Sequence, residues 1–300
     1  MASRTGVDQA AVTATREVVR QSGSVTSGWF RCQPGQPGFD GGVVDRPIMV
    51  FPRTAVGIRH PHRPEVIADP TVAMFYNPGD CYRRRSIDPA GDRCEWLSLP
   101  DTWWKEVCTA VDPAGRATDP RLDGAVFRHD HGPAPTIAYL RQRRVTTAIR
   151  RGELSALAVE EAALRVLCDV LAAAAAHEAP AGGSCRPTTR ESHRRLVADT
   201  LELLATTYTT DAGLEEIATV VGASPYHLCR VFRSHTGHTI HRHRTQLRLR
   251  AGLDLLGRGE VTDLAALALD LGFANHSHFS ATFRGAFGVT PSQMRTNLTA

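Results

Sequence analysis

The strongest constraint on this chain is a helical pattern that its last third carries twice. Leu-Glu-Glu-Ile-Ala-Thr-Val-Val-Gly at 214–222 leads into Ser-Pro-Tyr-His-Leu-Cys-Arg-Val-Phe-Arg at 224–233, and Thr236 and Gly237 follow. Leu-Ala-Ala-Leu-Ala-Leu-Asp-Leu-Gly at 264–272 leads into Asn-His-Ser-His-Phe-Ser-Ala-Thr-Phe-Arg at 275–284, and Phe287 and Gly288 follow. Leu214, Ala218 and Gly222 match Leu264, Ala268 and Gly272 at an offset of 50, whereas Phe232 and Arg233 match Phe283 and Arg284 at 51. The second turn therefore carries one extra residue. Each copy predicts a short helix, a glycine-marked turn and a capped second helix, the layout of a helix-turn-helix. Two such units in tandem point to DNA.

The second helix of each unit is the one whose side chains reach base edges in the major groove. In the first copy Ser224 is a good N-cap and Pro225 takes the favoured first helical position. Leu228, Val231 and Phe232 are spaced to face a core, which leaves Tyr226, His227, Cys229, Arg230 and Arg233 outward. Arg230 is the strongest candidate for gripping guanine with two hydrogen bonds, and Arg233, further along, suits a phosphate. In the second copy Asn275 caps, Phe279, Thr282 and Phe283 face inward, and His276, Ser277, Ser280 and Ala281 look into the groove with Arg284 near the backbone. Ala281 offers only an apolar contact, such as one to a thymine methyl, so the second unit is expected to discriminate bases less.

Charge follows the same geography. The formal net charge is only +4, but no acidic residue lies between Glu216 and Asp254, while Arg230, Arg233, Arg242, Arg244, Arg248 and Arg250 all do. That is a local basic surface of the kind a phosphate backbone requires. His235, His238, His241 and His243 are expected to add to it. Residues 240–256 predict one continuous helix between the units, with Leu247, Ala251 and Leu255 inward and the arginines outward.

Three hundred residues allow two domains with separate cores. Residues 1–28 are polar apart from a short helical stretch over about 8–21. From about 29 to 135 the chain is rich in Pro and Gly and carries short β-prone runs at 43–44, 48–51, 55–58, 71–76 and 94–99, which predict a small antiparallel barrel or sandwich. Two helices follow, over 137–149 and 155–176, the second with Leu157, Leu164 and Leu171 at heptad spacing. They pack either on the β domain or on a second subunit; periodicity does not separate the two. Residues 178–190 predict an interdomain linker. No apolar run approaches a membrane span and no basic, apolar, small-residue leader is present, so cytoplasmic residence is expected.

Two sets of residues in the β-rich part bear on chemistry. Cys81 and Cys94 lie beside Arg83, Arg84, Arg85 and Arg93, and nearby cations favour the reactive thiolate. Cys32, Cys81 and Cys94 are therefore redox or effector candidates. His60-Pro-His62 places two imidazoles at a spacing that shares one face of a strand, which makes them weak metal candidates, although Pro61 interrupts the run. No serine-histidine-aspartate order, phosphate loop or paired-carboxylate motif stands out, so no catalytic residue is assigned.

Residues 190–300 resemble the DNA-binding domain of the AraC/XylS family of transcription regulators. The matching residues are Leu214, Ala218, Gly222, Ser224, Pro225, Leu228, Arg230, Phe232, Arg233, Thr236 and Gly237. The match continues through Ala268, Gly272, Phe273, Ser277, Phe279, Phe283, Arg284, Phe287, Gly288 and Pro291. Cys229 and Ala281 depart from the pattern, where many members carry longer polar or basic side chains. The resemblance implies a non-enzymatic regulator that inserts two recognition helices into successive major-groove segments. It also implies an α+β chain: a cupin-like sensor and dimerisation domain over 29–177, a linker over 178–190, and an all-α domain over 191–300 with two helix-turn-helix units joined by a long helix. The implied partners are double-stranded DNA, RNA polymerase, a small-molecule effector and a second copy of the chain, with no cofactor and no membrane. A cysteine-based redox or alkylation-responsive protein and a cupin-type metalloenzyme remain the alternatives.

Overall fold

Pairing, more than local propensity, decides where strands form in the first half of the chain. The computed structural model describes residues 16–112, 125–177, 187–259 and 261–299. Ten strands appear among them: β1 (Arg16–Ser22), β2 (Val25–Cys32), β3 (Gly41–Val43), β4 (Ile48–Pro52), β5 (Val56–Arg59), β6 (Val66–Ala68), β7 (Val72–Tyr76), β8 (Cys81–Ser86), β9 (Asp92–Ser98) and β10 (His131–Pro133). They form a six-stranded sheet in the order β1-β2-β9-β4-β7-β10 and a four-stranded sheet in the order β3-β8-β5-β6.

The two-residue period of β4, β7 and β9 gives the larger sheet two apolar faces. Val50, Met74, Tyr76, Cys94 and Trp96 point toward the smaller sheet and share a core with Val56 and Ile58. Met49, Phe51, Phe75 and Leu97 point the other way, into a second core. Helices α1 (Asp101–Val111), α2 (Thr136–Arg151) and α3 (Ala156–His177) cover that second face. Gly28, paired with Trp96, has no room for a side chain: a Cβ there would overlap the indole.

Four sequence expectations are corrected here. Residues 16–21 form strand rather than helix, so the sheet reaches back into the segment set apart as 1–28. Strand β8, arginine-rich and unforeseen, is stable because its partners supply counter-charges: Arg84 lies 2.8 Å from Asp92, and Arg85 reaches Glu65 at 2.8 Å. On α3 the buried stripe runs through Val159, Ala163, Val166 and Val170, against the sheet, while Leu157 of the expected heptad is 74% exposed. Residues 187–190 of the expected linker are already helical, because the helix of the second domain starts at Pro187, and residues 178–186 lie outside the described residues.

The helical part comprises α4 (Pro187–Thr207), α5 (Leu214–Val220), α6 (Pro225–Thr236), α7 (Ile240–Gly257), α8 (Leu264–Asp270), α9 (His276–Phe287) and α10 (Pro291–Thr299). One core gathers Val197, Leu204, Ile217, Leu228, Val231 and Phe232. The other gathers Leu253, Leu267, Phe279, Phe283, Phe287 and Met294. Helix α7 contributes Leu247 to the first core and Leu249, Leu253 and Leu256 to the second, so it holds the two units on one rigid rod.

The remaining side of α7 is docked on the β domain, and the expectation that its arginines point outward fails there. Arg250 is buried, hydrogen-bonds the carbonyls of Pro70 and Ala134, and stacks on Tyr139 of α2. Arg53 covers Tyr139 as well, so the ring lies against two guanidinium groups, each centred 4.6 Å from it. Asp254 meets Arg93 at 3.2 Å and Arg143 at 3.3 Å. Arg143 and Arg53 in turn hold Glu95 of β9 at 2.8 and 2.6 Å. Burial alone would lift the Glu95 carboxyl, but these two cations outweigh it and hold it well below the usual carboxylate range. A buried charge is tolerable only when paired and hydrogen-bonded in this way. Removing one partner of the lattice would strand the others.

Candidate DNA-reading interface

Both candidate recognition helices begin with a side-chain cap and end on a left-handed glycine. The Ser224 hydroxyl accepts from the His227 amide at 3.3 Å, and the Asn275 amide oxygen accepts from the His278 amide at 2.8 Å. At the far ends Gly237 and Gly288 take φ of 76° and 78°, and their amides bond to the carbonyls of Arg233 and Arg284. Such caps satisfy backbone groups that a helix end leaves unpaired, and they fix where each helix starts and stops.

With the ends fixed, burial sorts the faces. On α6 Leu228, Val231 and Phe232 are buried, and Tyr226, Cys229, Arg230 and Arg233 are exposed, Tyr226 at 79%. Ser224 is exposed and Pro225 half-buried. On α9 Phe279, Phe283 and Phe287 are buried; His276, Ser277, Ala281 and Arg284 are exposed. Ser280 is half-buried, with its hydroxyl 3.2 Å from His276 Nε2. Thr282, expected inward, is half-buried and spends its hydroxyl on the His278 carbonyl. His278 is an exposed residue that the sequence reading left out, with its ring 5.4 Å from Phe273. Its place one turn into a capped helix was the available signal.

The basic surface is smaller than the arginine count suggested. Arg244 donates to the Ala212 carbonyl, and Arg248 donates to those of Tyr208, Thr210 and Gly272, stitching one helix-turn-helix to the other. With Arg250 in the domain junction, the exposed cations of this stretch are Arg230, Arg233 and Arg242. The histidines divide in the same way. His243 is buried 3.0 Å from Asp69 and stacks on His238, His235 bonds the Val231 carbonyl, and His241 stays exposed. His243 therefore ties two domains together instead of adding to a DNA-facing surface.

The candidates in the β domain do not converge. Cys32 and Cys94 are buried and Cys81 is exposed. Burial, with Asp92 beside it, pushes the Cys94 thiol well above its ordinary value, opposite to the thiolate activation expected from the neighbouring arginines. His60 lies beyond the end of β5, buried beside the rings of Tyr76 and Tyr82, while His62 is exposed with φ of 61°. They do not share a strand face, and Glu65 is engaged by Arg85. Among the described residues no cluster of His, Cys, Asp or Glu could hold a metal ion, and no helix is long and apolar enough to cross a membrane.

A fixed pair of capped helices with polar outer rows and a shared rod defines a tandem helix-turn-helix DNA-binding protein. A helix-turn-helix domain family matches residues 217–297. The regulator GlxA of Rhizobium meliloti is 32% identical over 124 residues, which cover 41% of this chain and 38% of that protein. The regulatory protein SoxS of Escherichia coli K12 is 30% identical over 108 residues, 36% of this chain and 99% of SoxS. A solved AraC-type regulator from Chromobacterium violaceum is 26% identical, with a TM-score of 0.33, over 36% of this chain and 96% of that one. The chain belongs to the AraC/XylS family of DNA-binding transcription regulators.

Proposed function

We propose that α6 and α9 read two successive major-groove segments of one operator, under control of a small molecule sensed in a cupin-like domain that runs from β1 to residue 177. The observation that carries the reading is α7: it sits in both helical cores, so the exposed rows of α6 and α9 keep one spacing. In α6, Ser224, Pro225, Tyr226, Cys229, Arg230 and Arg233 form the contact row. In α9 the row is His276, Ser277, Ser280, Ala281 and Arg284. Arg230 reads a base, and Arg233 and Arg284 contact phosphates.

The sensing half of the proposal draws support from the buried ion lattice, which runs from β9 of the β domain through α2 to α7. A displacement of β9 changes the seat of the rod that carries both reading helices. Homodimerisation is the further expectation, through the outer side of α3 where Leu157 is exposed, and RNA polymerase is the partner through which a regulator of this kind acts. Selection from random duplexes with the full-length protein tests the reading. The expected product is a motif of two informative segments about 10–10.5 base pairs apart, centre to centre. Its affinity should fall linearly in logarithmic salt, by ~0.9 per phosphate neutralised. A selection that enriches no sequence overturns it.

A further inference from the structure

Between the two sheets lies a cavity of about 330 Å³. It opens in the face of the larger sheet that carries Trp96, Cys94 and Tyr76, with Phe30 and Tyr82 completing its aromatic wall. That is near the small end of ligand sites, which start around 300 Å³. It is room for about ten waters at ~30 Å³ each, or a molecule of one or two fused rings.

The charges lining the cavity cancel in pairs. Inside, the Arg84 guanidinium lies 2.8 Å from Asp92, both side chains buried. At the rim, Arg46 makes two 3.0 Å hydrogen bonds to Asp45. Arg84 Nη1 donates to the Gly38 and Phe39 carbonyls and Nη2 donates to the Tyr82 hydroxyl at 2.9 Å, while Nε faces Asp92 as an ion pair without a hydrogen bond of its own. With Asp92 set against Nε and two carbonyls on Nη1, neither edge of the guanidinium presents two open donors to a carboxylate. A cationic ligand finds no unpaired carboxylate, since Asp92 and Asp45 face Arg84 and Arg46, and Arg84 already lies over Phe30 and Tyr82; stacking on Trp96 alone returns less than the hydration an ammonium gives up. A charged group entering would lose its hydration without gaining a partner, which disfavours it against a neutral ligand of the same size. What remains on offer is aromatic and aliphatic surface, chiefly the indole of Trp96, the ring of Tyr76, and Val50, Val56 and Ile58.

We propose that this cavity takes an uncharged, planar aromatic small molecule and turns away carboxylates and ammonium groups alike. The inference rests on the reading of the β domain as a sensor and names the class of its signal. Apolar stacking on Trp96 supplies the affinity, and the paired charges supply the selectivity by offering nothing to an ion.

Calorimetric titration of the full chain with 2-naphthol, 2-naphthoate and 1-naphthylmethylammonium, three probes of similar size, tests it. The expected result is saturable binding of 2-naphthol, roughly tenfold or more tighter than either charged probe. The Asp92→Asn variant leaves Arg84 without its counter-charge, and naphthoate should gain roughly tenfold on 2-naphthol. Val50→Phe, which fills the cavity, should weaken 2-naphthol to a similar degree, so one variant remains informative if the other fails to fold. Naphthoate binding as tightly as 2-naphthol to the unaltered chain overturns the ligand class. Absence of saturable binding by all three, or 2-naphthol binding untouched by Val50→Phe, overturns the site. Neutral-selective binding that leaves DNA affinity unchanged sinks the sensor reading alone and leaves the ligand class standing.

Discussion

Arg230 and Arg250 stand twenty residues apart and carry the same guanidinium, yet their surroundings give them opposite tasks. Arg230 is exposed on α6 with its fork unconstrained, and Arg250 is buried against Tyr139 with two carbonyls to hold. Arg230→Ala is expected to cost ~1–3 kcal/mol of operator affinity and to relax one base position. Arg233→Ala should weaken operator and random duplexes by the same factor. Competition binding on the two duplexes checks both, and an equal loss for Arg230→Ala contradicts a base-reading role. The caps and the inward aromatics of these helices were legible in the sequence because a cap depends on residues three apart. The fates of Arg244, Arg248 and Arg250 were not. Nothing in a helical stripe says which side another domain will cover, and an arginine that bonds a distant carbonyl looks locally like a solvated one. Cys94 misled for the same reason: its neighbouring arginines are sequence-visible, but the burial that outweighs them is not.

At the scale of elements, the two helix-turn-helix copies differ most in their turns. Gly222 and Gly272 both take positive φ, 68° and 77°. A Cβ at Gly222 meets open space, whereas one at Gly272 would collide with the Thr209 carbonyl and the Arg248 side chain. Gly222→Ala should therefore cost only the backbone strain, ~1–2 kcal/mol. Gly272→Ala should cost that and a displaced backbone besides, on the order of 3–4 kcal/mol in all. Urea unfolding of the two variants decides it, and equal destabilisation would refute the asymmetry. The doubled helices were readable from sequence because their punctuation is local. Strands β1 and β8 were missed because a strand is licensed by its neighbour: β1 has β2, and the arginines of β8 have Asp92, Glu65 and Glu202.

For the whole molecule, the junction between β domain and helical domain sets the response to acid. Burial first, and then the neighbouring His243 and Arg242, push His238 down to about 4. The unfolded chain takes a proton at this side chain near 6.5 and the folded chain does not, so stability falls as pH drops between those values. At Asp69 burial raises the carboxyl, but His243 and the hydrogen bonds from Thr71 outweigh it and leave a net lowering. The stability from Asp69 is present above its ordinary value and is lost as pH falls through the lowered one. The urea midpoint should decline from pH 7 to pH 4.5, and His238→Gln should flatten that decline. An unchanged slope in the variant would show that the histidine stack is not the acid-sensitive element.

Trp96 and Glu95 are neighbours in sequence on opposite sides of β9, one lining the cavity and the other anchoring the ion lattice. On the sensor reading proposed above, ligand preference and the seat of the reading helices share a single backbone. A lineage that reshapes the pocket by tilting this strand will also reset the posture of the grip on DNA. New chemical preferences should then arise through the side chains of the smaller sheet, leaving β9 unmoved.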